Sequence, residues 1–297
     1  LLDLPLDHEA EVARNGLLAA AWSKPWPGTV QVFAGADIDS MEARLSLVQP
    51  ARTGVLLEDM PPGPEGRWRR DARLRLRLAE GALESRSRLA VLAGANRLAL
   101  ETSDGWEVIG YETAQIEAEG VWTLTGLLRG LGGSPAPGAS GGASIVILDG
   151  AVGVLPVRDA ECGAELEVLA VPAGVRRSDA RARRLTATYE GRDLRPLSPV
   201  HLKLEDRADG LRLSWVRRTR IGGDRWQGVE APLGETREAY QVTLIGAEGE
   251  VVRAWTCAAP QLDLRREDLP SEGAGHGFEV RQISERYGPG LASVLQI

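Results

Sequence analysis

A run of alternating arginine and leucine, RLRLRL, is the segment whose residue types and spacing point most directly to ligand binding. On a β-strand, this alternation places Arg73, Arg75 and Arg77 on one face and the leucines on the other. A guanidinium group holds a phosphate or carboxylate group through two parallel hydrogen bonds. The three arginines are therefore candidate surface contacts. The alternative, which is favoured, is a solvated face neutralised by carboxylates on neighbouring strands.

Trp226 is a further candidate surface contact. It lies in a long polar insertion, 219–237, that also contains the sequence IGGD. An exposed tryptophan ring can stack on a sugar ring. The alternative, also favoured, is a tryptophan folded back onto its own domain.

Residues that would support catalysis or metal binding are scattered. The sequence GASGG (138–142) matches the G-x-S-x-G nucleophile elbow, but an elbow needs a strand before it and a helix after it, and here a loop precedes and a strand follows. The spacing of Asp37 and Asp39 matches the first two ligands of a calcium-binding loop, but the later ligand positions of such a loop do not follow in the sequence. The neighbouring carboxylates Glu58 and Asp59 point to opposite faces of a strand. We predict no catalytic residue, no metal and no cofactor.

Composition excludes several classes of protein. The 297 residues are 43% hydrophobic and 26% charged, which excludes disordered and collagen-like chains. The net charge of −7 argues against a nucleic-acid binder, because such proteins carry a basic domain or stripe. No apolar run approaches the ~20 residues that cross a bilayer. Cys162 and Cys257 lie far apart, so we expect reduced thiols and no disulfide.

Period-two alternation recurs along the chain and predicts an all-β, multi-domain fold. The turn pairs Asn15-Gly16, Asp104-Gly105, Asp149-Gly150 and Asp209-Gly210 are hairpin signals. Nine strand-like stretches are predicted: 29–33, 73–78, 97–100, 106–111, 122–128, 144–148, 165–171, 211–216 and 240–245.

The predicted organisation has three parts. Residues 1–150 form a sandwich- or barrel-like β domain, in which 132–142 is a long hairpin loop. Residues 151–197 form a connector with a small β element. Residues 198–297 form a second β domain, whose entry is stiffened by Pro196 and Pro199.

The C-terminal hundred residues resemble a fibronectin type III domain. LRLSWV (211–216) looks like its B strand, with Trp215 as the central core aromatic residue. AYQVTLIGAEGEVV (239–252) looks like the C strand and its hairpin, with Tyr240 pointing inward, and 278–297 looks like the F–G hairpin. The resemblance implies a β-sandwich of about 100 residues.

A second resemblance covers more of the chain. The sequences GWEVIGYETAQI (105–116), WTLTGLLRGLGGS (122–134) and SIVILDGAV (144–152) are similar to the phage tail-tip family of long-tailed phages and alphaproteobacterial gene transfer agents. LTGLLRG is its most distinctive part. Downstream, LRPLSPVHL (194–202) and SWVRRTRIGGDRW (214–226) are similar to the C-terminal part of the large baseplate proteins of those agents.

This resemblance implies a non-enzymatic structural protein of the distal tail tip or baseplate, made in the cytoplasm and acting in host attachment during DNA delivery. Its implied partners are other baseplate proteins, two further copies in a homotrimer, and a host surface glycan or outer-membrane protein, without direct nucleic-acid binding. Any hydrolase activity would belong to an upstream domain. Two alternatives stay open: an accessory carbohydrate-binding or spacer region of a secreted glycosidase, and a segment that itself hydrolyses polysaccharide.

Overall fold

The chain is built almost entirely of β-strands, which confirms the all-β prediction. The computed structural model describes residues 1–4, 16–220, 231–268 and 275–297. These residues form two compact units, the first made of 1–4 and 16–193 and the second of the remainder. No helix in the described ranges is long and apolar enough to cross a membrane.

The first unit contains twelve of the described strands, one short α-helix and three 3-10 turns. The strands are β1 (Gly16–Ala19), β2 (Val30–Gly35), β3 (Glu42–Leu47), β4 (Thr53–Leu56), β5 (Trp68–Leu78), β6 (Arg97–Thr102), β7 (Gly105–Ala118), β8 (Val121–Leu128), β9 (Ser144–Ile147), β10 (Gly153–Pro156), β11 (Glu165–Pro172) and β12 (Arg183–Thr188). The helix is α1 (Arg88–Leu92), and the 3-10 turns are Leu131–Gly133, Asp159–Glu161 and Arg192–Leu194.

Six antiparallel strands close into a barrel in the order β4-β5-β8-β7-β6-β9. Side chains fill its interior because alternate residues of every strand point inward. The leucines of RLRLRL belong to this core, as the alternation predicts. The buried core residues are Leu56, Met60, Leu74, Leu76, Leu78, Leu83, Leu98, Leu100, Ile109, Tyr111, Trp122, Leu124, Leu127, Ile145 and Ile147.

Two loops rich in proline and glycine, 57–66 and 129–143, pack against each other beside the barrel. Met60 and Ala139 exchange two backbone hydrogen bonds, of 2.7 and 2.9 Å. Gly138 has φ +93°, and a Cβ there would lie 2.5 Å from the carbonyl oxygen of Met60. The predicted hairpin loop at 132–142 is wrong, because β8 and β9, which it joins, pair with different strands.

Two of the four predicted turn pairs form hairpins, and Asn15 of the pair Asn15-Gly16 lies outside the described residues. Asp104-Gly105 joins the paired strands β6 and β7, and Asp209-Gly210 lies between two paired strands of the second unit. The prediction for Asp149-Gly150 is wrong, because β9 and β10 do not pair. A turn dipeptide fixes the local bend, but the partner of each strand depends on distant residues.

The remaining strands of the first unit form a four-stranded sheet, β12-β11-β2-β3, and a pair, β1-β10. The segment 151–197, which the sequence assigns to a connector, therefore supplies strands β10 and β11, which pair with β1 and β2. One face of the four-stranded sheet carries a small apolar cluster around Leu169 and Val171. The guanidinium of Arg177 stacks over the Phe33 ring there, with its Cζ 4.0 Å from the ring centroid.

The second unit is a sandwich of two antiparallel sheets. Its strands are β13 (Val200–Arg207), β14 (Gly210–Val216), β15 (Tyr240–Ile245), β16 (Val251–Cys257), β17 (Gln261–Leu264), β18 (Gly277–Ser284), β19 (Gly288–Pro289) and β20 (Ser293–Gln296), with a 3-10 turn at Arg266–Asp268. One sheet has the order β13-β14-β17, and the other has the order β16-β15-β18-β19, with β20 also paired to β18. One core joins both sheets, and its buried residues are Leu213, Trp215, Tyr240, Val242, Leu244, Leu264, Phe278 and Val280.

Candidate surface-contact site

Strand β5 presents the three candidate arginines on the outer face of the barrel. Leu76 and Leu78 are buried, while Arg77 between them is exposed. Because directly paired residues share a face, the register with β8 places Thr125 beside Arg73 and Thr123 beside Arg75. The same rule places Val121 of β8 and Val55 of β4 beside Arg77, so the face carries arginine and threonine side chains with valine at one end.

The middle arginine, Arg75, is held by two carboxylates. Its guanidinium donates to Glu117 at 2.6–3.1 Å and to Glu58 at 2.5 Å. These hydrogen bonds raise the pKa of Arg75, with Glu117 as the larger cause. Glu117 also accepts a hydrogen bond from the Thr123 hydroxyl, and hydrogen bonds from Arg75 and then Thr123 lower the pKa of this carboxyl. Arg75 therefore has the cross-strand neutralisation that the favoured alternative predicts.

The flanking arginines are placed differently. The nearest carboxylate oxygen to the Arg73 guanidinium belongs to Glu58 and lies 3.6 Å away, beyond hydrogen-bond distance, and 66% of the Arg73 side chain is exposed. Arg77 is exposed and has no side-chain partner among the described residues. Arg73 therefore forms only a long ion pair with Glu58, and neither arginine has a hydrogen-bonded carboxylate among the described residues.

Free guanidinium groups are concentrated around β5. Within the part of the chain that the structure describes, four exposed arginines have neither a side chain nor a backbone carbonyl as a hydrogen-bond or ion-pair partner: Arg67, Arg70, Arg77 and Arg176. Three of these four lie between residues 67 and 77. These three guanidinium groups are therefore not paired with any carboxylate of the described chain.

The other residues singled out by the sequence are placed as follows. Trp226 lies outside the described residues. Trp215 and Tyr240 are buried in the sandwich core, with ring centroids 5.1 Å apart and an edge-to-face angle of 72°. The Tyr240 hydroxyl donates to Glu238 at 2.6 Å, which also fixes the orientation of the ring.

The arginine of the LTGLLRG sequence has a structural role that the sequence reasoning missed. Arg129 is 2% exposed and donates through Nε and Nη2 to both oxygens of the fully buried Glu107, at 2.7 and 2.6 Å. Its Nη1 donates to the Pro61 carbonyl oxygen at 2.6 Å, which ties the loop 57–66 to the barrel. The sequence contains a signal for this buried pair. Side chains of a strand alternate between its two faces, so Glu107 lies on the inward side with Ile109 and Tyr111 and needs a buried partner.

The backbone conformation explains why glycine follows this arginine. Gly130 has φ +66°, in the left-handed region that favours glycine, and a Cβ there would lie 2.7 Å from Cβ of Glu65 and 3.1 Å from its Cα. Ser134, further along, accepts the backbone N–H of Val108 at 2.8 Å and donates to the Leu131 carbonyl oxygen. The motif residues thus build the barrel end.

Sites of other kinds were also sought. The described residues contain no group of three or more His, Cys, Asp or Glu that could hold a metal ion. Ser140 of GASGG lies in a loop that leads into strand β9. Neither Cys162 nor Cys257 forms a disulfide in the described part of the chain, and burial raises the pKa of the Cys257 thiol.

Comparison with known proteins gives one family. Residues 51–146 match the family model described as Rcc01698-like, C-terminal. The comparison with curated proteins found no match. Domains d3-d4 of the rat CD45 extracellular region are similar at 12% identity over 50% of this chain and 71% of that chain, with a TM-score of 0.25, which carries no argument. The family match coincides with the barrel, which begins at Thr53 and ends at Ile147. Over its barrel, therefore, this chain is similar to the Rcc01698-like C-terminal family, which takes its name from a Rhodobacter capsulatus protein related to gene transfer agents.

Proposed function

We propose that this chain is a non-enzymatic structural part of the tail tip, or baseplate, of a phage-like particle of the gene transfer agent type. It contacts other baseplate proteins, assembles as a homotrimer and reaches the host envelope during DNA delivery. The observation that carries the proposal is the coincidence of the family match at 51–146 with one closed structural unit, the barrel.

The positions of the LTGLLRG residues in the barrel support a structural role for this chain. The most distinctive charged residue, Arg129, is buried against Glu107 and a backbone carbonyl, where it has no access to solvent or substrate. The barrel interior is filled with apolar side chains. Both features assign these residues to the inside of the barrel, which leaves its outer surface as the part available for contacts.

Electron microscopy of particles that carry an epitope tag at the C-terminus of this chain tests the proposal. We expect antibody label at the distal end of the tail, and crosslinking of purified particles is expected to yield trimers of the tagged chain. Label on the capsid or along the tail tube would overturn the assignment. Recovery of the tagged chain in the medium, separate from particles, would instead support the accessory region of a secreted enzyme.

A further inference from the structure

We propose that the outer face of β5, with Arg73 and Arg77 as its contacts, binds a carboxylate-bearing polysaccharide of the bacterial envelope. This inference rests on the proposed function, because it names the host molecule that the tail tip would meet. The site is the surface formed by these two arginines, Arg75 between them, and the neighbouring residues Thr123 and Thr125.

The first argument is the unbalanced charge. The chain carries a net charge of −7, yet the segment 67–77 contains six arginines and one aspartate. Arg69 is hydrogen-bonded to that aspartate, Asp71, and Arg75 is held by Glu58 and Glu117. The remaining guanidinium groups of the segment have no hydrogen-bonded carboxylate among the described residues. A positive patch on an acidic chain attracts anionic ligands selectively to that patch.

The second argument is geometric. Alternate residues on a strand lie ~7 Å apart, so the guanidinium groups of Arg73 and Arg77 leave the backbone ~14 Å apart on one face. Each can hold one carboxylate through two parallel hydrogen bonds. Arg75 stands between them with its donors already used by Glu58 and Glu117. The face therefore offers two separated anion sites.

The third argument distinguishes a polysaccharide from a nucleic acid. Duplex DNA carries one negative charge per ~1.7 Å, so it would bring phosphates against the carboxylates of Glu58 and Glu117. A polysaccharide whose carboxylates are widely spaced would place mostly hydroxyl groups against Glu58 and Glu117. Carboxylates accept hydrogen bonds from hydroxyls, and the Thr125 hydroxyl can donate or accept. The mixed face of arginine, glutamate and threonine favours the polysaccharide.

Binding of the purified 297-residue chain to polygalacturonate, neutral dextran and duplex DNA tests the inference. We expect binding to polygalacturonate that weakens with added salt, and little binding to dextran. The double substitution Arg73→Gln and Arg77→Gln is expected to weaken polygalacturonate binding about tenfold, because two exposed ion pairs are lost. Arg176→Gln removes an exposed arginine from another segment, one that has no partner among the described residues. It is the matched control and is expected to bind as the unchanged chain does.

Three outcomes would overturn the inference: equal binding by the double variant and the unchanged chain, equal retention on dextran, or binding to DNA in preference to polygalacturonate. Unchanged thermal unfolding of the double variant is the check that a loss of binding is not a loss of folding. The result is separate from that of the labelling experiment. If the tagged chain is found at the tail tip but the purified chain does not bind polygalacturonate, only this inference is refuted.

Discussion

Glu107 and Arg129 lie 22 residues apart in sequence and form a buried, two-pronged ion pair at 2.6 and 2.7 Å, with Arg129 also donating to the Pro61 carbonyl oxygen. Both side chains are almost fully removed from solvent. The pair links β7, the end of β8 and the loop 57–66. This pair is a buried polar contact that joins these three segments at one end of the barrel.

Removal of one member of this pair is expected to be costly. Arg129→Met leaves the Glu107 carboxylate buried without its cation and should lower the free energy of unfolding of the barrel by about 3–5 kcal/mol. The double substitution Glu107→Leu and Arg129→Met should recover most of that loss. Hydrogen exchange of the amides of β7 and β8 measures the free energy of unfolding of the single and the double variant.

Arg86→Met is the matched control for this prediction. Arg86 pairs with Glu84 at 2.6 Å on the surface, so its loss should cost at most about 1 kcal/mol. An Arg129→Met variant as stable as Arg86→Met would contradict the role assigned to the buried pair.

Two glycines with nearly the same backbone conformation should respond differently to alanine. Gly66 and Gly130 have φ +65° and +66°, but a Cβ at Gly66 meets open space, whereas one at Gly130 meets Glu65. We expect Gly66→Ala to cost about 1 kcal/mol for the left-handed backbone and Gly130→Ala to cost about 2–3 kcal/mol. Urea unfolding followed by barrel hydrogen exchange makes the comparison, and equal costs would count against the steric explanation.

Tyr111 should titrate at unusually high pH. Burial raises the pKa of its phenol from 10.0 to about 12. Because the folded state binds this proton more tightly than the unfolded state, the associated stability is complete below pH 10 and is lost as pH rises towards 12, by about 2–3 kcal/mol. The difference in tyrosinate absorbance between the unchanged chain and Tyr111→Phe should show a midpoint near 12. In urea, the midpoint should return to about 10, and a midpoint of 10 in the folded chain would contradict the burial of the phenol.

Asp71 should titrate at unusually low pH. The hydrogen bond from Arg69 is the main cause that lowers its carboxyl pKa from 3.8 to about 2. Since the folded pKa is depressed, the favourable interaction is present above pH 3.8 and is lost as pH falls through 2. Carboxyl carbon NMR should place the midpoint near 2, and Arg69→Gln should move it up towards 3.8. Arg176→Gln should leave it unchanged, and a shift caused by Arg176→Gln would mean that general charge, and not the Arg69 contact, sets the value.

The sandwich should depend on its central aromatic pair. Trp215→Ala removes a buried ring in edge-to-face contact with Tyr240 and should cost about 3–5 kcal/mol. Trp255 is only half-buried on the outer strand β16, so Trp255→Ala should cost clearly less. Hydrogen exchange at β14 and β15 measures the loss. Barrel amides should keep their protection in both variants, and a parallel loss there would contradict the division into two units.

The sequence could predict those features that depend on local pattern. Alternation in RLRLRL placed Leu74, Leu76 and Leu78 in a core and the arginines outside, because side chains of a strand point to opposite faces in turn. The same reasoning marked Tyr240 and its neighbours as a strand, and β15 occupies 240–245. For the candidate site, alternation predicted which face carries the arginines. It could not predict that carboxylates hold Arg75 by hydrogen bonds and leave Arg73 and Arg77 without one.

By itself, then, the sequence determined the all-β class, the inward and outward sides of most strands and the residues able to bind an anion. Only the tertiary structure decided which strands are neighbours: that β8 and β9 do not pair, that β11 joins β2, and that Glu107 meets Arg129. The physical reason is that alternation repeats every two residues and fits many pairings equally well. The choice among pairings is made by contacts between residues far apart in the chain, where buried charges must find partners and loops must close.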